Sequence, residues 1–269
     1  MAIGSSTRER VVAWAIVVLL VAAVLGVAYV GTPYTASAEE MAAVRANPNV
    51  TVSSMGEGYV LAPVDGTVDP STDLRETALV YYPGARVDPT AYLPVLAPVV
   101  AQTGITVFVP RPPLNLAVLD PDMADPIIAG HPDVDRWFVG GHSLGGAMAC
   151  RFAARNPDRI SGVLLFGSYC DRDLGETGLR VLSVRGSADT VLDREASLRN
   201  RDNLPENDTV EVTIRGMNHT QFGVYSGQRG DSPATISYEQ AHEALRDAMI
   251  DFLRDNPPRS DTPETDRAR

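Results

Sequence analysis

The sequence has no lysine, so all 23 of its basic residues are arginine, and they face 34 aspartates and glutamates. The resulting net charge of −11 argues against a nucleic-acid partner, because phosphate backbones attract basic surfaces. Residues that bind metals are also scarce: the chain has four histidines and two cysteines, with no H-E-x-x-H motif or Cys/His cluster. We therefore expect no metal and no other cofactor.

The two cysteines, Cys150 and Cys170, are too few for a disulfide framework or a zinc ribbon. One bridge between them is possible if the domain lies outside the cytosol. They fall on different predicted elements, however, and disulfide geometry is demanding. The sequence leaves the bridge open and favours two free thiols.

One long apolar run lies near the N-terminus, where residues 11–30 carry no charge. At about 1.5 Å per residue, a helix of this length spans a hydrocarbon core. Arginines precede the run and glutamates follow it, and Trp14 and Tyr29 suit the two interfaces. The pattern predicts a single-pass membrane anchor, with residues 1–10 in the cytoplasm and the rest of the chain outside it.

A cleaved signal peptide is the main alternative to the anchor, because Ala36-Ser37-Ala38 has the small-x-small form of a cleavage site. In that case the protein is secreted after cleavage at Ala38. The apolar run is longer than the usual signal core of about 7–15 residues, which favours the anchor. Residues 31–49 are predicted to form a linker, and the charged, proline-rich residues 256–269 a disordered tail.

Between residues 50 and 255, β-rich runs alternate with helical patterns. This alternation indicates an α/β fold with a mostly parallel sheet and helices on both faces. The predicted strands are VTVSSM, GYVLAP, TALVYYPG, ITVFVP, RWFVGG, ISGVLLFG, LRVLSVRG and TVEVTIRG. The predicted helices cover residues 88–104, 114–130, 144–155, 193–203 and 238–255.

The residues Gly141-His142-Ser143-Leu144-Gly145 fit G-x-S-x-G, in which a serine lies on a sharp turn from strand to helix. A strand pattern precedes the motif here and a helical pattern follows it. The elbow glycines, Gly141 and Gly145, leave room for the close approach of the two elements. We predict that Ser143 is a nucleophile; the alternative is an ordinary turn.

A serine hydroxyl needs a base that takes its proton. His142 is adjacent to the serine, and neighbouring side chains point apart. His131 precedes the strand that leads into the turn, and His242 lies beside the apolar stripe of the last helix. His219, directly after the last predicted strand, is the remaining candidate for the base.

The base in turn needs a carboxylate, and two are near the end of the strand LRVLSVRG. Asp189 lies at the tip of the following loop, whereas Asp193 has the position of a helix N-cap. We therefore predict Asp189 as the acid and keep Asp193 as the alternative. The order Ser, Asp, His along the chain agrees with the motif.

The anionic oxygen of a tetrahedral intermediate needs two N–H donors. One is expected to be the backbone N–H of Leu144, directly after the nucleophile. The other is expected from the loop after the third predicted strand, where Ala85 is the first candidate and Gly84 the second. An ordinary Pro-Gly turn is the alternative there.

Four motifs resemble the α/β-hydrolase superfamily, namely YYPGARVDPTAY, FVGGHSLGGAMA, VRGSADTVLD and GMNHTQFGVYSGQRGD. The resemblance covers residues from about 50 to 255 and is strongest to the compact, lidless proteins near the dienelactone hydrolases. It implies the fold and the Ser-Asp-His order. The dienelactone hydrolases use a cysteine nucleophile where this chain has Ser143, so their reaction is not implied.

Only a short segment separates Gly167 from Leu182, which leaves no room for the cap domain of larger lipases. We therefore expect an open, shallow pocket for a small-molecule substrate such as a short-acyl ester. Its rim is predicted to include Tyr82, Arg86, Tyr169 and Phe222. The predicted function is a membrane-anchored carboxylesterase; the alternatives are an acyltransferase with the same residues and a non-catalytic binding module.

Overall fold

The computed structural model describes residues 11–12, 14–21, 26 and 31–255. The described residues between 11 and 30 are helical, and the remainder of the predicted anchor lies outside the described part. So do the predicted cytoplasmic residues 1–10 and the predicted tail 256–269. Among the described residues, no helix combines the length and the apolar character needed to cross a bilayer.

A single eight-stranded sheet forms the centre of the fold, in the order β1-β2-β4-β3-β5-β6-β7-β8. Strands β1 and β2 form an antiparallel hairpin, β2 pairs antiparallel with β4, and every later pairing is parallel. The mostly parallel sheet is therefore confirmed. The strands are β1 Val50–Met55, β2 Gly58–Pro63, β3 Thr77–Tyr82, β4 Thr106–Val109, β5 Arg136–His142, β6 Gly162–Phe166, β7 Arg180–Gly186 and β8 Thr209–Ile214.

Five of the six α-helices between residues 38 and 254 divide between the two faces of the sheet. Apolar residues of α1, α2 and α6 belong to one core, and those of α3 and α4 belong to the other. The helices are α1 Ala38–Arg45, α2 Leu93–Thr103, α3 Ala124–Gly130, α4 Leu144–Arg155, α5 Arg194–Arg199 and α6 Tyr238–Arg254.

Strand β3 shows why the sequence forms a central strand, because its six residues are all buried. Leu79 and Tyr81 join the core under α2 and α6, whereas Ala78, Val80 and Tyr82 join the core under α4. Side chains alternate between the faces of a strand. A continuous apolar run is thus what a strand covered on both sides requires.

The predicted helix over residues 114–130 is wrong in its first half. Leu114 and Asn115 have φ angles of 53° and 56°, which a helix cannot accommodate. Short 3-10 turns occupy residues 113–115 and 117–119, and the α-helix begins only at Ala124, after Pro121. Pro121 has no amide hydrogen to donate, and its ring clashes with the preceding turn of a helix. Both features oppose a continuous helix here.

The residues predicted as a linker, 31–49, contain helix α1, with Met41 and Val44 buried in the core. Ser37 caps this helix: its hydroxyl accepts a hydrogen bond from the Glu40 N–H, and the Glu40 carboxylate accepts one from the Ser37 N–H. Reciprocal bonds of this kind satisfy N–H groups that have no partner inside the helix. The segment from residue 37 to 45 is therefore attached to the domain.

Cys150 and Cys170 form a disulfide, so the favoured expectation of two free thiols was wrong. Cys150 lies on α4 and Cys170 on the loop after β6, and their Cα atoms are 5.6 Å apart. The two residues do lie on different elements, as predicted. The helix and the loop nevertheless meet above the sheet, which places the two side chains within bonding reach.

Candidate active site

Ser143 lies at the turn between β5 and α4, with φ 54° and ψ −124°. A positive φ is uncommon for a residue other than glycine and costs of order 1–3 kcal/mol. Two hydrogen bonds restrain the turn: the Ser143 N–H donates to the Phe166 carbonyl (2.9 Å), and the Ser168 hydroxyl donates to the Ser143 carbonyl (2.7 Å). The strained turn that G-x-S-x-G predicts is thus present.

The elbow glycines are needed because the end of β3 passes directly beside them. A Cβ atom on Gly141 would lie 2.4 Å from the Tyr82 carbonyl oxygen. On Gly145 it would lie 2.1 Å from the same oxygen and 2.4 Å from the Pro83 carbonyl oxygen. Neither backbone atom can move aside as a flexible side chain could. The close approach therefore involves three segments, the strand and helix of the turn together with β3.

His219 and Asp189 form a buried pair at the carboxyl ends of β8 and β7. The Nδ1 atom of His219 lies 2.7 Å from Oδ2 of Asp189, and the two residues are 0% and 1% exposed. The other carboxylate oxygen of Asp189 accepts hydrogen bonds from the N–H groups of Val191 and Leu192, each at 2.9 Å. Burial alone would raise the pKa of Asp189, but the bonds from His219 and the two amides outweigh it, so the pKa lies below its usual value.

The Nε2 atom of His219 is buried and has no hydrogen-bond partner among the described residues. This is the nitrogen that faces away from the carboxylate, because Nδ1 is bonded to Asp189. A hydrogen bond from Ser143 Oγ to Nε2 is accordingly not formed here. In enzymes without bound substrate, catalytic hydrogen bonds are often long or poorly aligned and tighten only in the complex.

His142, which sequence reasoning set aside as a base, packs against the ring of His219, with 4.3 Å between ring centroids. Its Nδ1 lies 3.0 Å from the Tyr92 hydroxyl, which also accepts a hydrogen bond from the Gly84 N–H (2.9 Å). The Tyr92 hydroxyl thus has its proton free to donate to His142. Burial, aided by the neighbouring charge of His219, lowers the pKa of His142 well below its ordinary value. Burial therefore favours the neutral form of the His142 ring.

The N–H groups of the two predicted oxyanion donors, Leu144 and Ala85, differ in their hydrogen bonding from that of the second candidate, Gly84. The Gly84 N–H is already bonded to Tyr92. The Ala85 N–H makes no hydrogen bond in the described part of the chain, and Ala85 is partly accessible. Leu144 is the first residue of α4, so its N–H has no partner inside that helix.

The remaining histidines and the alternative acid have structural partners. His131 packs against Phe108 and Trp137, and its Nδ1 lies 2.7 Å from the Ile127 carbonyl oxygen. His242 bonds to the backbone of Gln221 through Nε2 (3.0 Å). Asp193 caps α5 by accepting a hydrogen bond from the Ala196 N–H (2.9 Å).

Two of the predicted rim residues do not lie at the rim. Tyr82 is fully buried, and its hydroxyl donates to the Pro121 carbonyl and accepts from the Ala124 N–H. Phe222 is fully buried and packs against His142, with 5.3 Å between ring centroids.

The other two rim candidates are partly accessible. The Arg86 guanidinium lies over the Tyr34 ring, 5.1 Å from its centroid, and donates to the Thr32 carbonyl. Tyr169 lies on the loop after β6, next to the disulfide.

Sequence reasoning missed Asp231, whose carboxylate holds the start of the His219 loop. One oxygen accepts from the His219 N–H (3.1 Å) and the other from the Thr220 N–H (2.8 Å). Asp231 is the last residue of the motif GMNHTQFGVYSGQRGD, so its position in that motif was a usable signal. Its role depends on a contact across a loop, which spacing alone does not reveal.

A cavity of about 290 Å³ is lined by residues that include Asp189, Arg185 and Leu198. Its lining includes neither Ser143 nor His219. Within the described residues, no group of three or more His, Cys, Asp and Glu side chains is placed to hold a metal ion.

A model of the alpha/beta hydrolase family matches residues 78–243, a range that includes Ser143, Asp189 and His219. No curated protein matches the chain.

Three solved structures share the fold. Carboxyl esterase 2 from the mycorrhizal fungus Tuber melanosporum has a TM-score of 0.55 at 11% identity, over 77% of this chain and 86% of that one. A predicted CIB-like hydrolase from Thermoplasma acidophilum has a TM-score of 0.53 at 16% identity, over 77% and 97%. An α/β serine hydrolase without lid from Xanthomonas campestris has a TM-score of 0.50 at 16% identity, over 78% and 95%. With the family match covering most of the chain, and a parallel sheet that brings the G-x-S-x-G turn and the buried Asp–His pair to one edge, the chain belongs to the alpha/beta hydrolase family.

Proposed function

We propose that this hydrolase is a membrane-anchored serine carboxylesterase that acts on small or short-acyl esters. The observation that carries the proposal is the buried pair His219 Nδ1–Asp189 Oδ2 (2.7 Å), on the loops that follow β8 and β7. The serine of the strained turn follows β5 at the same edge of the sheet. A histidine fixed by a carboxylate beside an activated serine is the arrangement that acyl transfer uses.

The reaction begins with attack of Ser143 Oγ on the acyl carbon of the ester. The hydroxyl proton passes to Nε2 of His219, while Asp189 stabilises the imidazolium through Nδ1. The imidazolium then protonates the departing alcohol as the C–O bond breaks, which leaves an acyl-enzyme. Water adds to the acyl carbon with the same histidine as base, and the acid and the free serine are released.

The charge that develops on the carbonyl oxygen is stabilised by the N–H groups of Leu144 and Ala85. Leu144 also lies at the positive end of α4, which favours a nearby anion. Since Gly84 donates to Tyr92, Ala85 is the donor on its loop that is free to bind the oxygen.

The short loop between β6 and β7, residues 167–179, supports a preference for short acyl groups. It leaves no place for a cap in this connection, and the disulfide at Cys170 ties it to α4. A long acyl chain would have no cap under which to bury its methylene groups. The neighbour from Tuber melanosporum, a carboxyl esterase, agrees with ester chemistry on this fold.

The location outside the cytoplasm is supported by two features. Residues 11–30 carry no charge, which suits a membrane anchor. The Cys150–Cys170 disulfide is typical of proteins in oxidising compartments and rare in cytosolic ones. The proposal therefore places the domain on the outer side of the membrane.

The test is fluorophosphonate labelling of the full chain in detergent micelles, together with hydrolysis of p-nitrophenyl acetate. We expect labelling and turnover in the wild type and neither in Ser143→Ala or His219→Ala. His131→Ala is the matched control, because that histidine lies outside the site and should leave labelling intact. Circular dichroism shows that each variant is folded.

Three results lead to different conclusions. A folded wild type that is not labelled refutes the serine nucleophile and favours the non-catalytic binding module. Labelling that survives in His219→Ala at the wild-type rate refutes His219 as the base. Labelling with faster acyl transfer to an added alcohol than to water identifies an acyltransferase with the same residues.

A further inference from the structure

The segment before helix α1 pairs with the loop that carries Ala85. The Tyr34 N–H donates to the Arg86 carbonyl (2.7 Å), and the Asp88 N–H donates to the Tyr34 carbonyl (2.8 Å). The two bonds form an isolated parallel bridge between Tyr34 and Val87. The loop after β3 therefore has a β-type neighbour supplied by residues that precede Ala38.

This bridge holds the peptide unit that bears the Ala85 N–H. The Gly84 carbonyl and the Ala85 N–H belong to one planar peptide group. The Gly84 carbonyl accepts a hydrogen bond from the Val87 N–H (3.1 Å). Val87 is held in turn by Tyr34, which bonds to the backbone of the residues on both sides of Val87. A displacement of Val87 would therefore rotate the plane in which the predicted oxyanion donor lies.

The loop needs such a restraint, because Arg86 has a φ of 60°. A residue with a side chain keeps this conformation only when its surroundings enforce it. The Arg86 N–H donates to the Asn115 carbonyl (2.8 Å), and the Arg86 carbonyl accepts from Tyr34. Tyr34 thus provides one of the two backbone bonds that fix the strained residue.

The Tyr34 ring joins this loop to the segment that follows His219. It stacks on Tyr225, with 5.4 Å between centroids and 29° between planes. The Arg86 guanidinium also lies over the Tyr34 ring, 5.1 Å from its centroid, and donates to the Thr32 carbonyl (3.1 Å). Stacking and cation–π contacts of this kind hold an aromatic ring in one orientation.

We propose that Tyr34 is a positioning residue for the oxyanion hole, and that the segment 32–37 is a working part of the catalytic domain. The proposal rests on the proposed function, since it assigns Ala85 as an oxyanion donor. It goes further, because cleavage after Ala38 would remove Tyr34 and also the Ser37 cap of α1. The fully active form is therefore the chain that keeps residues 32–37.

The test uses the full chain in detergent micelles with Tyr34→Ala, Tyr34→Phe and the control Tyr59→Ala. Tyr59 is a partly buried tyrosine that packs against the same core, on strand β2. Kinetic constants for p-nitrophenyl acetate are measured beside amide hydrogen exchange of the loop from Gly84 to Asp88.

Loss of one oxyanion donor costs about 10²–10³ in kcat, so loosening it should cost about tenfold. We expect Tyr34→Ala to lower kcat by about this factor with KM nearly unchanged, because the oxyanion forms only during the reaction. The Asp88 amide should exchange faster in the same variant. Tyr34→Phe keeps the ring and should therefore have the kcat and the Asp88 exchange rate of the wild type. Tyr59→Ala should change neither quantity.

Several results would overturn the proposal. They are an unchanged kcat in Tyr34→Ala, a change confined to KM, or a lower kcat without faster exchange in the loop. A wild type with neither labelling nor turnover refutes the proposed function instead. In that case the exchange measurement alone decides whether Tyr34 holds the loop, and unchanged exchange refutes that as well.

Discussion

Replacement of Asp189 by asparagine tests the proposed acid–base pair of Asp189 and His219 with almost no change in shape. One carboxylate oxygen of Asp189 accepts hydrogen bonds from the N–H groups of Val191 and Leu192, each at 2.9 Å. The other oxygen lies 2.7 Å from Nδ1 of His219. An asparagine oxygen can only accept, and its nitrogen can only donate. The amide oxygen must therefore keep the place beside the two N–H groups, which directs the amide nitrogen at His219.

The consequence is a change of tautomer at His219. Its Nδ1 must now accept a hydrogen bond, so the ring proton moves to Nε2, and the imidazole can no longer take the serine proton. Rotation of the amide would restore the tautomer, but it would point the NH₂ group at two N–H donors. Each buried group left unpaired costs about 1–3 kcal/mol, and residues 0–1% exposed have no water to replace the lost partners.

We therefore expect kcat to fall by about 10³- to 10⁴-fold, the effect of a wrong tautomer in Ser-His-Asp enzymes. This corresponds to about 4–5.5 kcal/mol of activation free energy. Initial rates of p-nitrophenyl acetate hydrolysis by the full chain measure it. Asp193→Asn is the matched control, because asparagine caps a helix as well as aspartate does, and its rate should stay within about twofold.

Two results would refute this reasoning. The first is a folded Asp189→Asn protein whose kcat lies within tenfold of the wild type. The second is an equal loss in Asp193→Asn, which would show that the acid lies on the other carboxylate of the same loop.

Three further predictions concern the surroundings of the site. Gly167 has a φ of 50°, and a Cβ atom there would lie 3.2 Å from both Asp189 Oδ2 and His219 Nδ1. Gly56 has a similar φ of 54°, but a Cβ atom there would have no neighbour within 4 Å. Gly167→Ala should therefore lower kcat at least tenfold, while Gly56→Ala should cost only about 1–2 kcal/mol of stability, as kinetics and urea denaturation will show. Reduction of the Cys150–Cys170 disulfide should lower the free energy of unfolding by about 3 kcal/mol, seen as a lower urea midpoint in the reduced protein. Burial lowers the pKa of His142, so at low pH the unfolded chain binds a proton that the folded chain excludes. The free energy of unfolding should therefore fall as the pH drops below about 6.5, and it should fall less steeply in His142→Gln.

The strands and the turn at Ser143 could be predicted because their signals are local. Continuous apolar runs mark strands buried on both faces, and G-x-S-x-G places a serine between a strand and a helix. The parallel arrangement then brings the carboxyl ends of β3 to β8 to one edge of the sheet. The proximity of Asp189 and His219 follows from neighbouring strands β7 and β8.

The features that could not be predicted depend on contacts between distant parts of the chain. Cys150 and Cys170 looked unsuited to a bridge because their elements differ, yet the helix and the loop meet. The apolar residues between 114 and 123 predict a helix, but Leu114 and Asn115 adopt positive φ angles in a loop. In that loop the Asn115 carbonyl accepts a hydrogen bond from the Arg86 N–H. Local propensity is overridden in both cases by packing that a single segment does not encode.

The same long-range contacts explain how the candidate site keeps its geometry. Three of its loops are held by partners from elsewhere in the chain. Tyr34 pairs with the loop that carries the predicted oxyanion donor, the disulfide at Cys170 holds the loop that bonds to Ser143, and Asp231 binds the start of the His219 loop. None of these contacts belongs to the pairing of the central sheet. A substitution that breaks one of them should therefore loosen one loop and lower turnover while the sheet stays folded. Substitutions of buried residues in β3 or β5 should instead reduce stability and turnover together, because those strands support every loop at once.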